Sequence, residues 1–173
     1  MNYFELLKLP TSVDIDLKAA EQRHRELSLQ YHPDRQPPGD LRARREAADT
    51  SARLNDAIRT VRDPIRRAVY LLKLQGVDLE SESNAVRQAA TPQLLEEIMS
   101  FREALDLVRE IKSVARIEST LKAANDRRQR AQETAFAALR IGDTALATQA
   151  LVEVRYWSRL AEETESAIEE MTT

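Results

Sequence analysis

The residues best suited to chemistry stand together in "QYHPDR", Gln30 to Arg35, where His32 and Asp34 flank Pro33. A histidine and a carboxylate two positions apart are the parts of a general base with its orienting acid, or of two metal ligands. Either use needs further groups to converge on them. The chain offers one other histidine, His24, and no cysteine. Catalytic zinc needs three protein ligands, and the helical HExxH pattern is absent. A glycine-rich phosphate loop and a strand-turn-helix nucleophile elbow are also missing. No catalytic residue, resident metal or cofactor is therefore expected, and the chain is not expected to be an enzyme. What remains for His-Pro-Asp is an ordinary turn, or a signal displayed to another protein. His24, between Ala20 and Leu27, reads as packing.

The elements that must carry this stretch are helices. The 173 residues are 42% hydrophobic and 32% charged, which is enough to build a core, and only 5% are aromatic. Ala, Leu, Glu, Arg and Gln dominate and β-branched runs are scarce, so the expected class is all-α. Asp14 or Asp16 caps a helix with the stripe Leu17, Ala20, Leu27 and Tyr31, which stops at His32-Pro33. Asp40 caps the next, with the stripe Leu41, Ala48, Ala52, Asn55 and Ile58, running to Arg62. A polar loop of under ten residues joins the two, which predicts an antiparallel hairpin with His-Pro-Asp at its tip. A shorter helix follows from Pro64 to Gln75. The segment "GVDLESESNAVRQAATP" has no sustained stripe and marks a boundary. The expected domains are residues 1–76, a linker over 77–91, and a bundle over 92–173.

Three longer helices are expected in that bundle. Their stripes are Leu94, Ile98, Phe101, Leu105 and Val108; then Val114, Ile117, Leu121, Ala124, Phe136 and Leu139; then Ala150, Val154, Trp157, Ala161 and Ile168. Leu95 and Met99 are left over as an apolar pair, flanked by Glu96 and Glu103, while Tyr156 points about 100° away from the Trp157 stripe. These residues form either a partner patch or a wider core face. A net charge of −3 gives no global attraction to nucleic acid or to an anionic membrane. The start shows no secretory pattern, no apolar run is long enough to cross a bilayer, and a cytoplasmic protein is expected.

Three stretches together resemble the J-domain co-chaperones. They are "YFELLKLP", "LSLQYHPDR" and the Asn-Asp-Ala…Asp-Pro…Arg…Tyr-Leu-Leu series within "LNDAIRTVRDPIRRAVYLL". "RAVYLLKLQGVDLESE" and "LLEEIMSFREAL", joined directly to a helical C-terminal domain, are similar to the HscB family of bacterial type. The resemblance implies a J domain followed by a three-helix bundle. It implies that His32, Pro33 and Asp34 dock on a DnaK-type, HscA-like chaperone and stimulate its ATPase, so that the hydrolysis belongs to the partner. Arg35, Arg25, Arg23 and Lys18 would extend the basic docking strip; Lys18 and Arg25, seven residues apart, share one helical face, and Arg25 lies seven residues before His32. It further implies that Leu95, Glu96, Met99, Glu103 and Tyr156 bind an IscU-like scaffold for iron–sulfur clusters. The chain departs from the family pattern at Glu96, Ser100 and Leu107. No cluster is expected on the chain itself, which has no thiolates. A J-protein serving another client, or a helical nucleic-acid adaptor built on the Arg42, Arg44, Arg45 and Arg127, Arg128, Arg130 clusters, are the alternatives.

Overall fold

A computed structural model describes residues 1–35, 40–81 and 83–172. The described residues form helices and turns without a strand, as the composition requires. The helices are α1 (Tyr3–Leu6), α2 (Leu17–Gln30), α3 (Leu41–Arg62), α4 (Pro64–Leu74), α5 (Asn84–Ala89), α6 (Pro92–Glu110), α7 (Val114–Ile141) and α8 (Thr144–Thr172). A single 3₁₀ turn spans Pro33–Arg35. The chain forms two compact units, residues 1–71 and 72–173, and the division falls within α4.

In the first unit, each hairpin helix starts at an aspartate whose side chain satisfies otherwise unpaired amides. Asp16 accepts from the Lys18 and Ala19 N–H groups at 2.9 and 3.1 Å. Asp40 accepts from the Ala43 N–H at 2.8 Å. Helices α2 and α3 run antiparallel: Glu21 pairs with Arg62 and His24 meets Asn55. Between them and α1 lies a core of Phe4, Leu7, Ala20, Leu27, Leu54, Ala57 and Val61. Burying a side chain such as Leu54 stabilises the fold by roughly 1.5–3 kcal/mol. Tyr70 of α4 stacks on Tyr3, with ring centroids 4.5 Å apart.

The expected stripe of α3 is one position out of phase. Ala47, Leu54, Ala57 and Val61 are buried, whereas Leu41 is 79% exposed and Ala48, Ala52 and Asn55 lie outside the core. In an alanine-rich helix several alanine stripes compete, and the one that includes Leu54 and Val61 buries the most area. Leu17, the first residue of α2, and Tyr31, its C-cap, also lie outside the core, 43% and 36% exposed.

In the second unit, α7 and α8 make the most extensive helix contact. Ala124, Ala131, Ala135 and Ala138 form a buried seam of small residues on α7 that lets the helices approach closely. Gly142 ends α7 at φ 76°, where its N–H donates to the Leu139 carbonyl and the next amide, Asp143, donates to Ala138. The Asp143 carboxylate in turn caps α8 through the Leu146 N–H at 2.9 Å. Thr91 and Pro92 start α6, which packs on both α7 and α8. Trp157 is buried here, edge-on to Phe101 and beneath the Arg127 guanidinium. The 77–91 segment contains the two-turn helix α5, capped by Ser83 and packed on α8 through this unit. Two turns are too short to display a helical period in sequence.

Candidate functional site

The first candidate site begins where α2 ends. Tyr31 closes the helix with its N–H on the Leu27 carbonyl, and the Pro33–Arg35 turn follows, packed against α3. The Arg35 N–H donates to the His32 carbonyl at 3.0 Å, which closes the turn. The Asp34 N–H donates to His32 Nδ1 at 3.2 Å. An accepting Nδ1 leaves the ring hydrogen on Nε2, available to a partner as a donor. The Asp34 carboxylate lies 3.8 Å from the same Nδ1, and the two side chains are 54% and 79% exposed. Among the described residues, so open a pair has no dry, convergent surroundings of the kind acid–base catalysis uses, but it can be covered by another protein's surface. The Pro33 side chain and residues 36–39 lie outside what the structure describes.

The basic residues of α2 divide by their local partners. Arg23 is bound within its helix to Glu26 at 2.8 Å. Glu21 is taken up across the hairpin by Arg62 at 3.4 Å. Lys18, Arg25 and Arg35 are exposed, and none of them is in an ion pair among the described residues. His24 bridges instead: its Nε2 lies 3.1 Å from Asn55 Oδ1 and 3.3 Å from Ser28 Oγ. This is a hairpin-fastening role.

The second candidate site lies on the bundle. Leu95 and Tyr156 share a cleft of about 590 Å³ bordered by α5, α6, α8 and the 79–81 turn. Met99, 63% exposed, follows one turn after Leu95, and Glu103 lies exposed one turn beyond. Glu96 faces elsewhere, into a groove lined by Glu97, Phe101, Arg127 and Trp157. The structure thus brings Leu95 and Tyr156 together, sets Met99 and Glu103 in line with them along α6, and separates Glu96. Sequence reasoning missed Val86, Val152, Arg155 and Arg159, which line the same cleft. The available signal was the i, i+4 arginine pair that brackets Tyr156. No group of three His, Cys, Asp or Glu side chains that could hold a metal occurs among the described residues.

Comparison with known proteins gives the chain a family. The chain is 34% identical over 170 residues to the co-chaperone protein HscB homolog of Cupriavidus taiwanensis, spanning 98% of this chain and 95% of that protein. The chain belongs to the HscB co-chaperone family. Residues 90–165 match the HSCB C-terminal oligomerisation domain. The fold agrees along nearly the whole length with chaperone HscB from Vibrio cholerae, at 29% identity and a TM-score of 0.86, covering 98% of this chain and 99% of that one. Human co-chaperone protein HscB matches at 25% identity and a TM-score of 0.81, covering 96% and 81%. The HscB architecture, an N-terminal J domain followed by a C-terminal helical bundle, is therefore the architecture of this chain. No helix among the described residues is long and apolar enough to cross a membrane.

Proposed function

We propose that this chain is a cytoplasmic co-chaperone that stimulates the ATPase of a DnaK-type, HscA-like chaperone and delivers an IscU-like iron–sulfur scaffold to it, promoting cluster assembly and transfer. Residues 1–76 act as the J domain and 92–173 as the scaffold-binding bundle, with 77–91 between them. The observation that carries this reading is the exposed His32–Asp34 turn at the tip of the α2–α3 hairpin, in a chain of the HscB family. The exposed Lys18, Arg25 and Arg35 support docking on an acidic surface, where such charges chiefly set encounter rate and salt sensitivity.

Docking favours the partner conformation competent to hydrolyse ATP, so the co-chaperone acts by shifting a population. The bundle holds the scaffold through Leu95, Met99, Glu103 and Tyr156, with Glu96 at the margin. Carrying both partners on one chain raises their effective concentration. His32→Gln and Asp34→Asn remove exposed groups, so both variants fold while losing ATPase stimulation; a folded His32→Gln variant that stimulates normally overturns the chaperone assignment. The triple variant Leu95→Ala/Met99→Ala/Tyr156→Ala loses scaffold affinity, and unchanged affinity removes this patch.

A further inference from the structure

The cleft shared by Leu95 and Tyr156 differs in charge from the surface around it. Acids outnumber bases over residues 72–173. The exposed strip of α6 carries Glu103, Asp106 and Glu110. Within the cleft the balance reverses: Arg87, Arg155 and Arg159 border it, against Glu80 as its one acid among the described residues. Arg155 is fixed at the rim by Nη1, which donates to the Leu79 carbonyl at 2.7 Å. A guanidinium carries five N–H donors, so others remain to meet a ligand. Arg159 follows one turn later on the same side of α8. Neither Arg155 nor Arg159 is in an ion pair among the described residues.

The floor is apolar. Leu95 is 39% exposed beside the Val152 and Tyr156 side chains, with Val86 opposite on α5. About 590 Å³ lies within the range of sites that hold a small ligand or a short peptide stretch. A nucleic acid would need a continuous basic track. Here the basic region ends at the cleft edge and acids follow along α6. The combination fits one or two carboxylates next to an aliphatic group.

We propose that this cleft receives a segment of the scaffold partner in which an aliphatic side chain stands beside a carboxylate. The aliphatic group packs on Leu95, Val152 and Tyr156, and the carboxylate is held by Arg155 and Arg159. The inference rests on the proposed scaffold-binding role of this bundle, and it adds a charge preference opposite to that of the Glu103 side of the patch.

The test is calorimetric titration of the full chain with the IscU-like scaffold at low and high salt, for wild type, Arg159→Glu, Arg159→Gln and Met99→Ala. Arg159→Glu weakens binding by about tenfold at low salt, with a smaller loss for Arg159→Gln, and flattens the salt dependence. An acid-to-lysine change on the scaffold that restores binding to Arg159→Glu identifies the carboxylate. Wild-type affinity and salt dependence in Arg159→Glu, alongside weakened binding by Met99→Ala, overturn the cleft contact and leave the scaffold reading intact. Failure of folded wild type to bind the scaffold overturns both.

Discussion

Replacing Arg67 with methionine keeps the apolar stem and removes the guanidinium. Arg67 is 7% exposed, in the first turn of α4. Its Nε donates to the Val13 carbonyl at 2.8 Å and its Nη1 to the Val61 carbonyl at 2.6 Å. One side chain therefore ties the loop that precedes α2 to the last turn of α3, the two ends from which the hairpin is built. Burial pushes the guanidinium pKa below its ordinary value, and the charges of Asp14 and Asp63 oppose that shift. Each carbonyl left without a donor costs about 1–3 kcal/mol. Relief from burying a charge offsets part of the sum, so the net loss is about 2–4 kcal/mol. Hydrogen exchange on the full chain reads this as roughly 30- to 800-fold faster exchange at the most protected amides of α2 and α3, such as Leu27 and Leu54. Arg66→Met, at an exposed neighbour, serves as the control and leaves exchange nearly unchanged. Acceleration below about threefold in Arg67→Met, or an equal effect in the control, refutes the clamp.

Two further outcomes follow from backbone and charge. Lys112, between α6 and α7, sits at φ 50°. Lys112→Gly relieves that strain and slows exchange in the α6–α7 turn by the equivalent of about 0.5–1 kcal/mol, whereas faster exchange contradicts the assignment. The Asp78 carboxyl is held below its ordinary pKa, first by the Glu80 N–H and then by Lys73, 3.1 Å away. A lowered folded-state pKa means that the carboxylate's contribution is complete above the unfolded value and fades as pH falls through the folded one. A carboxyl NMR titration places the Asp78 midpoint below the ordinary aspartate range, and Asp78→Asn removes the acid-dependent loss of Glu80 amide protection. A midpoint at or above that range contradicts the hydrogen-bond account.

Helix content, caps and the hairpin could be read from sequence because they depend on local signals. Asp16, Asp40, Thr91 and Gly142 each act through neighbours within a few residues. The face of α3 was not legible, because alanine satisfies several phases at once and only the partner helices choose among them. Helix α5 escaped for its brevity. The exposure of the His32–Asp34 pair was implied by its place at a hairpin tip, and the Leu95–Met99 pair by what the core stripe left over. The arginine rim left only the i, i+4 spacing of Arg155 and Arg159 as a signal, and such a pair looks like solvated helix charges until α5 and α6 are packed beside it.

The proposed co-chaperone role is tested by steady-state ATP turnover of a DnaK-type, HscA-like chaperone, measured alone, with this chain, with an IscU-like scaffold, and with both. Stimulation by the chain that grows further when scaffold is added is the predicted result. Turnover that stays at its basal rate with folded wild-type chain and scaffold present contradicts the central claim.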